Sequence, residues 1–144
     1  MTDYTLKDLA KKMKGIDFTI LSTQSQDGAI AGRPMSNNGD VEYDGDSWFF
    51  TSEDTRVVAE IQANPSVGLA LQGAKGLLGQ PGIFIVIEAQ AELIRDKAVL
   101  AAHWTKDLER WFKDGVDSPG LVLIKARAKR LHYWDGEDEG EIVL

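Results

Sequence analysis

The chain has 144 residues, a formal net charge of −7, 43% hydrophobic residues and 27% charged ones, the balance of a single globular domain with room for a real core. It contains no cysteine, which excludes disulfides, thiolate metal sites and thiol nucleophiles, and fits a cytoplasmic location. The acidic balance argues against a nucleic-acid binder, and the longest aliphatic or aromatic run, Ile83–Ile87, is far too short for a membrane span.

The N-terminal stretch lacks the apolar centre of a signal peptide. Within it, Thr5-Leu6-Lys7-Asp8 predicts a capped helix start, with Leu6, Leu9 and Met13 at helical spacing and Gly15 as the stop. Phe18–Thr23 alternates apolar and polar residues, Ser25-Gln26-Asp27-Gly28 makes a turn, and extended chain resumes over Ala29–Ser36, giving a hairpin. Within its second strand, Gly32-Arg33-Pro34-Met35-Ser36 places an arginine before a proline, the mark of an edge with a kink or of backbone exposed to a ligand. Two turns follow, Asn37–Asp40 and Tyr43–Asp46, with a short strand between them.

Trp48–Thr51 reads as a buried strand, and Asp54 as the cap of a short helix bearing Val57, Val58 and Ile61 and closed by Asn64-Pro65. Val67–Leu71 and Ile83–Ile94 are strands joined by the glycine-rich loop Gly73–Gly82, which lacks both the P-loop and the dinucleotide-binding patterns. From Asp96 the positions of Ala101, Trp104, Leu108 and Trp111 predict the longest helix. Leu121–Trp134 is a last strand, and the acidic tail over residues 135–144 reads as solvated and frayed. The sum is one domain over residues 1–144, mainly β, with about six antiparallel strands in a closed or nearly closed barrel and peripheral helices.

Two isolated histidines, His103 and His132, have no partner at ligand spacing, so no metal site is expected. No serine elbow or catalytic triad is legible. One constellation carries chemistry: Arg33 at the broken strand, and Thr51 through Arg56 running from a strand end into a helix start. Thr51 and Thr55 hydroxyls, the helix N-terminus and the two guanidiniums suit a phosphate. The plain alternative, a helix capped by Asp54 with both arginines in water, is the one spacing alone favours.

Arg33-Pro34-Met35, Trp48-Phe49-Phe50-Thr51, Thr55-Arg56, Glu60-Ile61 and Asn64-Pro65 together resemble the flavin-binding split barrels related to pyridoxamine 5'-phosphate oxidase. Ala91-Glu92-Leu93, Asp96, Trp104, Trp111-Phe112, Gly115, Asp117, Pro119 and Tyr133-Trp134-Asp135 narrow the resemblance to the general stress protein branch. It implies a six-stranded antiparallel split β-barrel, a homodimer, and FMN (or FAD) at the subunit interface. It further implies that Arg33, Thr51, Thr55 and Arg56 hold the phosphate and ribityl chain, and that Pro34, Met35, Ser36 and Phe50 lie along the flavin. Trp111, with Trp104 as a second candidate, would flank the ring. Val57 stands where the family commonly has a lysine, and no match exists to the residues that bind pyridoxamine phosphate, so that oxidase activity is not expected. The functions left open are a flavin-dependent oxidoreductase, a flavin carrier or sensor without turnover, and a barrel dimer without cofactor.

Overall fold

A computed structural model describes residues 3–37 and 42–144. Asn38–Asp40 of the first predicted turn, and the start of the short strand after it, lie outside the described residues.

The N-terminal helix, α1 (Leu6–Met13), forms as its sequence dictates: the Thr5 hydroxyl accepts from the Asp8 N–H, and the Asp8 carboxylate from the Thr5 N–H. Leu9, Ala10 and Met13 bury its apolar face. The hairpin follows as β1 (Phe18–Gln24) and β2 (Ile30–Ser36). Its turn is closed by the Gly28 N–H on the Ser25 carbonyl, with Gly28 at a φ of 88° that favours glycine. Then come β3 (Asp46–Ser52), α2 (Arg56–Ala63), β4 (Ser66–Gln72), β5 (Phe84–Ile94), α3 (Lys97–His103), β6 (Leu121–Asp135) and β7 (Asp138–Val143).

The sheet is antiparallel, in the order β2-β1-β4-β5-β6-β3, with β7 added alongside β6. Alternation along the strands sends Thr19, Leu21, Phe49, Leu69, Ile85, Ile87, Ile124 and Leu131 inward, where they pack with Leu9 of α1 and Val58 and Ile61 of α2. The long strand β6 makes the curvature possible. Its first half pairs with β3 and its last residues with β7, and the β5–β6 register shifts between Glu88 and Ala89, a bulge that bends the strand. The architecture is the expected split barrel, with seven strands where six were predicted.

Three local expectations are corrected. The acidic tail is not frayed: Asp138–Val143 pairs with β6 through a turn in which Gly136 takes a φ of 64°. Asp54 does not cap α2; the N-cap is Thr55, without a side-chain cap bond, its hydroxyl instead donating to the Ser52 carbonyl at 2.8 Å. The predicted long helix ends at His103, capped at its start by Asp96 as expected. Trp104 turns extended and sets its ring edge-on against Phe50 and Phe112, and 3₁₀ turns cover Lys106–Arg110 and Gly115–Asp117. Tertiary contact of one indole overrides the helical period.

Candidate functional site

The sheet begins at β2 and ends at β3, and among the described residues each is hydrogen-bonded on one side only. Ser36 and Asn37 from one edge and Ser47, Trp48 and Phe50 from the other line a common cavity. Backbone geometry decides which groups these edges expose. Asn37 N–H donates to the Asp17 carbonyl at 2.7 Å and Ser25 N–H to the Ala29 carbonyl at 2.8 Å. In that register the hydrogen-bonded pairs with β1 include Arg33 and Met35, while Pro34, opposite Ile20, falls in a non-hydrogen-bonded pair. Its nitrogen faces the free edge, so the proline costs the β1–β2 ladder nothing.

The same reasoning holds across the opening. Glu53 N–H donates to the Gly120 carbonyl at 2.7 Å and Ala128 N–H to the Gly45 carbonyl at 2.8 Å. Phe49 and Thr51 therefore bond to β6, and Trp48, Phe50 and Ser52 turn their amides and carbonyls to the opening. Gly32 and Ser36 do so from β2. The Ser52 carbonyl is taken by the Thr55 N–H and hydroxyl, and the outward backbone groups of Gly32, Ser36, Trp48 and Phe50 are ones that a polar heteroaromatic ligand can satisfy.

Where β1 and β2 meet α2 the two predicted arginines come together, on a residue that spacing did not single out. Glu60, 6% exposed, accepts from Arg33 Nη2 at 3.1 Å and from Thr23 Oγ1 at 2.7 Å on one oxygen, and from Arg56 Nε at 2.9 Å on the other. Arg33 Nη1 donates to Thr23 Oγ1 at 2.7 Å, closing a ring of three side chains, and reaches the Leu21 carbonyl at 3.4 Å. The Glu60 carboxyl is held below its ordinary value, first by the Thr23 hydroxyl and then by the two guanidiniums, against burial that pushes it up. A signal for Glu60 was present: it shares the buried face of α2 with Val57 and Ile61, and stands i+4 from Arg56.

The two arginines are therefore unequal. Arg33 spends both terminal nitrogens on Glu60, Thr23 and Leu21, whereas Arg56 is held by Nε alone and its side chain is 65% exposed. Among the described residues its outer fork has no hydrogen-bond partner, which suits a bidentate contact with an anion. Thr51 lies inside the barrel and its hydroxyl meets that of Thr55 at 3.3 Å, so these two are gathered beside the arginines but bonded to one another. Met35 packs against the core, while Pro34 and Ser36 stand on the outer face.

Between the sheet edges lies a cavity of ≈ 670 Å³, within the range of small-molecule sites. Phe50, Ser36, Trp104 and Trp111, all candidates from the sequence, line it together with Trp48 and His103, which the sequence did not assign. His103 stacks on Trp48 at 3.8 Å between ring centroids. Trp104 is partly buried against the small cluster around Leu100, Leu121 and Leu123, whereas Trp111 is 57% exposed. From Trp48 to Thr51 is three residues of strand, about 10 Å, and the lining of the cavity includes none of Arg33, Thr51, Thr55, Arg56 and Glu60. Among the described residues no group of side chains could hold a metal ion.

An antiparallel barrel left open between two edge strands, with peripheral helices, is a split barrel. The sequence matches the family described as pyridoxamine 5'-phosphate oxidase like over residues 4–144, and the chain belongs to that family. Similar solved structures include the general stress protein 26 of Bacillus anthracis str. Sterne, at 22% identity and a TM-score of 0.75 over 96% of this chain and 98% of that one. A general stress FMN/FAD binding protein from Xanthomonas citri matches at 23% identity and a TM-score of 0.72, over 92% and 89% of the two chains. A heme binding protein from Mycobacterium smegmatis matches at 12% identity and a TM-score of 0.77, over 99% of this chain and 60% of that one. Two of these carry the general stress name that the sequence resembles. Curated proteins provide no match.

Proposed function

We propose that the protein binds a flavin nucleotide along the β2/β3 opening, as a two-fold dimer with a redox role. What supports this reading is the pair of edge strands with outward-facing backbone groups, an exposed Arg56 side chain held by Glu60, and an aromatic cavity lined from both edges. Arg56 would hold the phosphate, and Arg33 would act through Glu60 to place it. The free edges at Gly32, Pro34, Ser36, Trp48 and Phe50 would face the ring system, with Trp111 flanking it. Bound flavin supplies the electron-transfer chemistry, and the chain's residues bind it, orient it and exclude water.

The dimer reading rests on the outer face of the sheet. Register places Pro34, Ile20, Ala70, Val86 and His132 in one row across five strands, with Phe18, Phe84 and Trp134 beside it. Ile20, Phe84 and Val86 are each more than 40% exposed. An outward sheet face is ordinarily polar, so this apolar band suits a second copy.

Absorbance of the purified protein, before and after adding FMN, FAD or hemin, is the test. The expected result is a flavin spectrum retained through gel filtration; retention of hemin alone would replace the reading with a heme site. Val86→Arg should convert the dimer seen by light scattering to monomer and release the flavin. A wild-type protein that is monomeric at micromolar concentration would remove the shared site.

A further inference from the structure

The arginine pair is not a free double cation. Glu60 lies between the two guanidiniums with both oxygens engaged, and Val57, the next residue after Arg56, is apolar and 5% exposed. Two guanidiniums and one carboxylate leave a single net positive charge. Asp27 in the β1–β2 turn lowers it further: its carboxyl is held down chiefly by the Ser25 hydroxyl and the Ala29 N–H, and it also senses Arg56.

We propose that Glu60 sets the charge of this arginine cluster, so that it prefers a flavin whose nearest phosphorus carries one negative charge, as in the pyrophosphate link of FAD, over the terminal phosphate of FMN. The inference rests on the flavin reading above and names the ligand class within it. A terminal phosphate carries about −1.5 to −2 at neutral pH because its second ionisation lies near pH 6. An internal phosphate of a pyrophosphate link carries one charge and has no such ionisation. A dianion set against one net positive charge leaves a negative charge uncompensated beside a buried carboxylate, and like charges at that range disfavour one another. The exposed Arg56 side chain also leaves the cluster open to solvent, which gives the chain beyond the first phosphorus somewhere to go.

Between about pH 5.5 and about pH 8 the ligand is the group that titrates, given a second phosphate ionisation near 6. The neighbours are Thr23 from β1, Arg33 from β2, Thr51 from β3, Arg56 and Glu60 from α2, and Asp27 from the turn. Glu60 and Asp27 both ionise below their ordinary carboxylate values. His103 sits at the aromatic cavity against Trp48, and His132 on the outer face against Trp134.

Calorimetric titration of the full chain with FAD, FMN and riboflavin at both ends of that interval is the test. FAD should bind more tightly than FMN at about pH 8, and acidification to about pH 5.5, which makes FMN a monoanion, should narrow the gap roughly tenfold. In Glu60→Gln, FMN should gain about tenfold on FAD at about pH 8. FMN binding tighter than FAD in wild type and insensitive to pH would overturn the proposal, as would a folded Glu60→Gln that weakens both flavins equally. If that variant does not fold, the wild-type pH series decides. If not even riboflavin binds, the flavin reading fails separately. The charge assignment is then decided by phenyl phosphate against diphenyl phosphate, followed at the Arg56 guanidinium by NMR. Stronger binding of the diester supports it, and stronger binding of the dianion at about pH 8 overturns it.

Discussion

The arginine cluster on Glu60 and the aromatic cavity between the sheet edges are built on opposite plans. In the cluster, Arg33, Thr23 and Glu60 satisfy one another completely, and a single guanidinium edge, that of Arg56, is left over. Trp48, Trp104, Trp111 and His103 line the open cavity, and the segment supplying two of them is 3₁₀ and irregular rather than helical. A closed polar network is rigid and selective because each member left unpaired costs more than its bond is worth. An apolar cavity gains affinity from area and tolerates variation in shape. Discrimination between ligands should thus reside in the cluster and affinity for the ring in the cavity, and substitutions can separate the two.

Arg33→Ala should have the largest effect. It leaves the buried Glu60 carboxylate without one partner and Thr23 without its donor, while removing little exposed surface. Losing one side of a buried ion pair is strongly destabilising, and the melting temperature should fall by about 5–10 °C. The sign with pH is fixed. Glu60 titrates below its ordinary value of 4.5 in the fold, so its contribution is complete above that value and is lost as pH falls through the lower, folded one. The deficit of Arg33→Ala should accordingly be widest near neutrality and shrink below about pH 4. An equal deficit at all pH values would mean that the ring of three side chains is not what holds the cluster together.

Arg56→Ala should leave the melting temperature nearly unchanged, because its side chain is largely exposed and Glu60 keeps Arg33 and Thr23. FMN and FAD affinity should nonetheless drop roughly tenfold or more, the worth of a charge-assisted contact, while riboflavin is unaffected. Isothermal titration with the three ligands measures this. Loss of riboflavin binding as well would place Arg56 at the ring and not at a phosphate.

The sequence showed the barrel more clearly than the site, and the reason is physical. Strand alternation and turn residues act locally, so the hairpin of β1 and β2, the burial of Phe49 and the capping box at Thr5 follow from neighbours in the chain. What sequence missed depends on contacts far apart. Glu60 gains meaning only when β1 brings Thr23 and β2 brings Arg33 onto α2, separations of 37 and 27 residues. The tail 135–144 looked solvated because its charges are dense, yet β6 offers it a free edge, and alternation of exposed acids with half-buried residues suits a strand there. Trp104 breaks the helical period because its ring finds Phe50 across the fold.

Trp111→Ala tests the aromatic cavity and should have the smallest effect of the three. Trp111 is 57% exposed and follows a 3₁₀ turn, with its N–H on the Leu108 carbonyl at 2.9 Å, a backbone bond that alanine keeps. No change in melting temperature is expected, since exposed positions away from the core contribute little. If the indole flanks the ring, its removal should weaken FMN, FAD and riboflavin alike, by roughly three- to tenfold, the worth of an aromatic contact. That uniformity is the contrast with Arg56→Ala, which separates phosphorylated ligands from riboflavin. Flavin fluorescence, quenched by a stacked indole, gives a second measurement, and it should rise in the variant at saturating ligand. Unchanged affinity and fluorescence for all three ligands would take Trp111 out of the site and leave the ring to Trp48, Phe50 and Trp104, which line the cavity from β3 and the end of α3.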